Sequence, residues 1–200
     1  ASQRLSVDIG EMSDQGRSPA PTVRGVEIDD RRTPEAELGP VVAAGRAAVV
    51  HEAGPGRVLR RHPDERDLTV ESRLMVHLRE QGYPVPEVHR VGPGEQVFER
   101  VEGPTMLADL GAHPWRVGAH ARTLADLHRR LHEIAAPAFL PAHPLGGEVL
   151  VHMDLHPGNV ICSPDGPVVI DWTNGRAGRA EVDVAMTWVL MGAFEQDPPP

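Results

Sequence analysis

The sequence predicts an α+β chain of two lobes, a small antiparallel-sheet lobe followed by a mainly helical one. Three observations carry this. Between residues 41 and 61, short β-prone runs alternate with small-residue turns, the pattern of a meander. Two longer stretches, 67–81 and 115–134, repeat apolar residues at helical spacing. Between 149 and 172, three apolar triplets are interrupted by Pro and Gly, the pattern of buried strands joined by tight loops.

Composition narrows the function classes. Two hundred residues allow one two-lobed domain or two small ones, enough to bury a core. A net charge of -9 disfavours nucleic acid and anionic membrane as partners and suits a cationic one. The single cysteine, Cys162, excludes a disulfide framework and a cysteine zinc site, and is expected to pack in a strand. The longest apolar stretch, 184–194, is too short for a membrane span and holds Thr187. The first residues lack the apolar core of a signal peptide, so a soluble cytoplasmic protein is expected. All 20 basic residues are arginine. That excludes a Walker A loop and Schiff-base chemistry, and any cation gripping a nucleotide phosphate must then be arginine.

Taken in order, residues 1–36 are polar and rich in Ser, Pro and Gly, and are expected to form an unstructured arm, with Val23, Val26 and Ile28 allowing one short strand. The small lobe is expected over 37–102. Its first hairpin turns near Gly45 and Ala47, and Gly54-Pro55-Gly56 makes a second turn into a strand at 57–61. The helix at 67–81 places Val70, Leu74, Met75 and Leu78 on one stripe and ends at Gly82. Pro84 and Pro86 hold their neighbours extended, and 96–101 is the next strand.

The larger lobe is expected over 103–200. Thr105 is an N-cap for a short helix. The long helix at 115–134 keeps Ala121, Leu124, Leu127, Leu131 and Ile134 on one stripe. His128 and His132, four positions apart, have the spacing of a metal pair; the plainer reading is one core-facing and one solvated imidazole. Residues 173–180 read as a loop with Arg176 and Arg179 solvated, and 181–194 as a closing helix.

The chemistry concentrates in 149–172. Asp154, Asn159 and Asp171 each flank an apolar triplet, so a rigid frame can aim them into a cleft. One Asp to accept the proton of an incoming hydroxyl, with an Asn and a second Asp offering oxygens to Mg²⁺, suits phosphoryl transfer. His152 precedes Asp154 by two, as in the kinase loop H-x-D-x-x-x-x-N. Three unrelated turn-forming polars are the bland alternative. A metal-dependent hydrolase with His152, Asp154 and His156 as ligands is another, although Pro157-Gly158 breaks any helix that would align the two histidines.

The strings HMDLHPGNV and VVIDW resemble the aminoglycoside phosphotransferase and choline kinase family, a branch of the protein-kinase-like fold. The resemblance runs from about residue 38 to 194 and implies ATP, or GTP, as co-substrate with Mg²⁺. It implies Asp154 as base, Asn159 and Asp171 as metal ligands, and His152 and Asp183 as supports of the catalytic loop. It implies that Gly45 and Ala47 belong to a loop over the phosphates, which an ordinary hairpin explains as well. Arg60, in Val58-Leu59-Arg60, takes the place of the strand lysine that holds phosphates, with Glu71 as its helix partner; a surface Arg and a surface Glu are the alternatives. The adenine edge is expected to meet backbone at Glu99 to Val101. Relatives usually continue into further C-terminal helices that build much of the acceptor pocket, so against the family a truncated C-lobe is expected here. The acceptor implied is a small hydroxylated, cationic molecule; a nucleotide-binding pseudoenzyme or regulatory module is the alternative.

Overall fold

β-Branched runs separated by glycine turns close into a six-stranded sheet in the computed structural model, which describes residues 23–45 and 47–194. The strands are β1 (Glu27–Ile28), β2 (Val41–Ala44), β3 (Val49–Glu52), β4 (Arg57–Arg61), β5 (Val88–Gly92) and β6 (Glu95–Glu99), in the order β1-β5-β6-β4-β3-β2. Neighbours run antiparallel except β1, which lies parallel to β5. The sheet is therefore mixed, not purely antiparallel.

The expected arm divides at residue 23. Residues 1–22 lie outside the described residues. From 23 onward the chain packs: Val23 is buried, β1 pairs with β5, and Thr33 donates its N–H and hydroxyl to Glu95. Composition hid this because the segment adds one edge strand and ion pairs, with little apolar burial of its own. The turn between β5 and β6 needs glycine. Gly94 has φ +66°, and a Cβ there would lie 2.0 Å from the Asp64 carbonyl oxygen.

Helix α1 (Thr69–Glu80) buries Leu74, Met75 and Leu78 as expected, but not Val70, which is exposed. Its buried face is turned by one position, so that Glu71 and Ser72 meet polar side chains of the sheet. The larger lobe holds α2 (Met106–Ala112), α3 (Val117–His132) and α4 (Ala180–Phe194). Thr105 caps α2 as expected, its Oγ1 accepting from Ala108 N at 3.1 Å. A 3₁₀ turn, Pro114–Arg116, replaces the first turn of the expected long helix. On α3 the buried set is Leu124, Leu127, His128 and Leu131, while Ala121 is exposed.

Two small two-stranded sheets frame residues 149–172. β7 (Val149–Val151) pairs with β10 (Arg176–Gly178), and β8 (Val160–Ser163) with β9 (Gly166–Val169), both antiparallel. β10 lies inside the segment expected to be loop; its alternation is too short to register as a strand. One apolar core joins the lobes: Leu74, Leu78, Tyr83 and Val85 cluster with Leu127, Leu131, Leu150, Leu155 and Trp172. Tyr83 Oη also donates to Leu127 O at 3.1 Å. Among the described residues no helix is long and apolar enough to cross a membrane.

Asp109 fastens the start of the helical lobe. Its carboxylate takes His120 Nε2 at 2.7 Å, Arg116 Nη1 at 2.9 Å and His113 Nδ1 at 2.9 Å. The His120 hydrogen bond, followed by those of Arg116 and His113, lowers its pKa to about 2 against the effect of burial. Because the folded value lies below the ordinary 3.8, this contribution to stability is present above that pH and is lost as pH falls toward 2. The urea midpoint should therefore drop between pH 5 and pH 2.5, and by less in Asp109→Asn. Leu127, 1% exposed at the centre of the shared core, should cost ~2–5 kcal/mol on replacement by alanine, read from urea unfolding.

Candidate active site

Strand β7 delivers the chain to His152, and there the backbone bends. Leu150 and Val151 are fully buried, which fixes the direction of approach. Met153 then adopts φ +66°, and its N–H donates to Asp183 Oδ1 at 2.6 Å. Asp183 lies in the first turn of α4 and is fully buried. Burial would raise its pKa, but hydrogen bonds from His128 and His132 and from Met153 N hold it well below the carboxylate range. The expected support of the loop by Asp183 is thus visible as a geometric contact.

His152 ties the two carboxylate-bearing loops together. Its Nδ1 accepts from Asp154 N at 3.2 Å, so the proton sits on Nε2, which donates to Ile170 O at 3.1 Å. Burial pushes its pKa down and keeps the ring neutral. The ring packs on Trp172, centroids 4.4 Å apart, and Trp172 Nε1 donates to Val169 O. With both nitrogens engaged, His152 has no lone pair for a metal, which overturns the ligand set His152, Asp154 and His156.

Asn159 ends the 3₁₀ turn Pro157–Asn159. Its Nδ2 donates to Asp154 O at 2.9 Å and to Asp154 Oδ2 at 3.1 Å, which turns Oδ1 away as a free acceptor. The β8–β9 ladder closes at Val160–Val169, and Ile170 N donates to Asn159 O at 3.0 Å. Asn159 and Asp171 therefore leave the same end of one ladder. Asp171 sits at φ +62° with its side chain 46% exposed, its Oδ1 taking the Thr173 hydroxyl at 2.9 Å. The Asn159 and Asp171 oxygens form the hard donor set that suits Mg²⁺.

His156 and Gly158 complete the neighbourhood of Asp154. His156 Nδ1 accepts from Gly158 N at 3.0 Å, and its Nε2 lies 3.6 Å from Asp154 Oδ1. Burial lowers the His156 pKa, opposed by Asp154. Gly158 is required for this fold-back, because a Cβ there would lie 2.7 Å from the imidazole.

Arg60, on β4, reaches toward the same place from the small lobe. It is 9% exposed. Its Nη2 meets Glu71 Oε1 of α1 at 2.5 Å and Gln96 Oε1 of β6, and its Nη1 lies 3.5 Å from Asp171 Oδ1. Gln96 passes the contact on to Ser72 Oγ at 2.9 Å. The expected pair of Arg60 and Glu71 is formed and buried; Gln96 and Ser72 were not anticipated, since nothing in a strand Gln or a helix Ser marks a buried relay.

Two expected contacts sit in simpler surroundings. Gly45 and Ala47 belong to the β2–β3 turn, where Gly45 N donates to Ala48 O at 2.9 Å; Arg46 between them lies outside the described residues. At the junction of the lobes, Glu99 N donates to Glu87 O and Arg100 N to Gly56 O, so two amides of the expected adenine-binding backbone are engaged within the sheet. Val101 follows them. Glu71→Ala should leave the buried Arg60 charge with only Gln96 and the more distant, half-exposed Asp171, costing ~3–5 kcal/mol in urea unfolding, far more than an exposed ion pair.

The sequence pattern of the phosphotransferase enzyme family matches residues 43–145 and 137–200. A thiamine kinase of Escherichia coli (strain SMS-3-5 / SECEC) is 37% identical over 70 residues, 34% of this chain and 23% of that protein. The chain thus spans under a quarter of that relative. Among solved structures, the streptomycin–ATP–APH(2")-IIa ternary complex superposes with TM-score 0.53 at 14% identity, covering 74% of this chain and 70% of that one. The Rio2 kinase–ADP/Mg²⁺–phosphoaspartate complex from Chaetomium thermophilum gives 0.53 at 19% identity, with 82% and 58% covered. A choline/ethanolamine kinase family protein from Mesorhizobium loti gives 0.51 at 19%, with 81% and 71% covered. The fold is protein-kinase-like.

Proposed function

The chain belongs to the phosphotransferase enzyme family, and on that premise we propose that it transfers the γ-phosphoryl group of ATP to a hydroxyl of a small molecule. The observation that carries this reading is the convergence of Asp154, Asn159 and Asp171 through the His152 bridge, with Arg60 reaching the same point. That convergence also favours turnover over a nucleotide-binding pseudoenzyme or regulatory module. ATP is preferred to GTP because the similar nucleotide complexes hold ATP or ADP.

An Asp154 carboxylate oxygen accepts the proton of the substrate hydroxyl as its oxygen attacks the γ-phosphorus. The bond from that phosphorus to the β–γ bridging oxygen breaks, and ADP departs. Asn159 Nδ2 holds the Asp154 side chain in place. Asn159 Oδ1 and Asp171 would hold Mg²⁺, which neutralises charge on the phosphate oxygens when bound. Arg60, braced by Glu71 and Gln96, offers a planar fork to the α- and β-phosphates in place of lysine. The β2–β3 turn with Gly45 and Ala47 lies over the phosphates, and Glu99 to Val101 meet the adenine edge through backbone. His152 and Asp183 position the loop.

The acceptor we propose is a hydroxylated cation, read by a protein of net charge -9. The ligands named for the similar proteins, streptomycin, choline and thiamine, are all cationic and carry hydroxyls.

Asp154→Asn should bind ATP as the parent does and lose ~10²–10⁴-fold in kcat, measured by ADP release with a panel of amino alcohols and aminoglycosides. Parent-like turnover would remove the base. Asp171→Asn should weaken ATP binding in Mg²⁺ while leaving binding in EDTA unchanged, followed by titration calorimetry.

A further inference from the structure

We infer that His156 is a further catalytic residue, which seats the acceptor hydroxyl on Asp154 and makes the site take a hydroxyl in preference to an ammonium group. The inference rests on the phosphotransferase reading above and deepens it.

A backbone amide fixes the imidazole. Gly158 N can only donate, and it donates to His156 Nδ1 at 3.0 Å. Nδ1 therefore carries its lone pair, and the ring N–H is at Nε2. Nε2 lies 3.6 Å from Asp154 Oδ1, too far for a hydrogen bond between the two. The other carboxylate oxygen, Oδ2, takes Asn159 Nδ2 at 3.1 Å. One short turn thus brackets the base, with Asn159 on one oxygen and His156 beside the other. The turn is closed by Asn159 N donating to His156 O at 2.9 Å, and Gly158 gives the ring its room, since a Cβ there would lie 2.7 Å from it. The His156 side chain is 13% exposed, so its orientation is set by these contacts and not by solvent.

A donor and an acceptor 3.6 Å apart suit a group that both gives and takes a hydrogen bond. A hydroxyl donates to Oδ1 at ~2.7 Å and accepts from Nε2–H at ~2.9 Å, two sides of a triangle that closes over this spacing. The second lone pair of its oxygen remains for the γ-phosphorus. The step balances: the O–H bond breaks with its proton passing to Asp154 Oδ1, the O–P bond forms, and the bond from phosphorus to the β–γ bridging oxygen breaks as ADP leaves. The Nε2 proton stays on His156. An ammonium group has no lone pair to accept from Nε2–H and sets its own N–H against it. His156 therefore opposes the pairing of a substrate cation with the Asp154 carboxylate, and a cationic amino alcohol enters hydroxyl first.

The test divides the ring between two replacements in the full chain. His156→Asn keeps an acceptor where Nδ1 stands, so the turn to Gly158 N survives, and removes the donor at Nε2. His156→Gln carries a side-chain N–H out to the Nε2 position. ADP release is measured with the panel of amino alcohols and aminoglycosides. In His156→Asn, kcat/KM for the acceptor should fall ~10-fold, the size of one lost hydrogen bond, with KM for ATP unchanged. His156→Gln should recover most of that loss. A hydroxyl-free amine of the same skeleton should inhibit His156→Asn more tightly than the parent.

Parent-like kcat/KM in His156→Asn, no recovery in His156→Gln, or equal inhibition by the amine overturns the inference and leaves His156 a turn residue. A parent that releases no ADP with any acceptor overturns the phosphotransferase reading, and this inference with it; an active parent keeps the two apart. Should His156→Asn fail to fold, imidazole ¹⁵N shifts of the parent decide. With a non-hydrolysable ATP analogue bound, an acceptor that turns over must move the His156 Nε2 resonance, and no movement overturns the inference.

Discussion

Met153 gives its backbone N–H to the buried carboxylate of Asp183 from a left-handed backbone, and the position of Asp154 depends on that bond. A non-glycine residue at positive φ costs ~1–3 kcal/mol, so something must hold it there. A hydrogen bond to a buried charge contributes ~1.5–3 kcal/mol, enough to offset the strain. The carboxylate must stay ionised to supply it, and the two imidazoles beside it ensure that. The reversed backbone then points the next residue, Asp154, out of the apolar wall formed by Leu150, Val151 and Leu155. His152, neutral and doubly bonded, carries the same constraint across to Ile170 and thus to Asp171.

The small lobe meets this frame through a single guanidinium. With no lysine in the chain, the cation at the cleft has the geometry of a fork. Arg60 uses that geometry on three elements at once, α1 through Glu71, β6 through Gln96, and the loop after β9 through Asp171. A lysine ammonium has the donors but not the fixed spread, and would not span the three in one plane. The contact with Asp171 is the longest of the set, so the arm that faces the cleft is also the one least held.

Sequence alone carried the strands and loops of residues 149–172 well, for a physical reason. Buried strands and the polar residues at their ends stand out together when apolar triplets are cut by Pro and Gly, as at 149–172. Thr105 and the α1 stripe from Leu74 to Leu78 were legible on the same footing, whereas the pairing of Arg60 with Glu71 came only from the family resemblance. What escaped were side chains whose burial depends on tertiary partners. Val70 lies on the helical stripe yet faces solvent, because Glu71 and Ser72 have partners in the sheet and Val70 does not. One of His128 and His132 was expected to face solvent; a charged partner 51 positions away in sequence brings His132 inward beside His128. Residues 23–36 read as arm because their ordering rests on Thr33, Arg32, Arg90 and Glu95, ionic contacts that periodicity does not register.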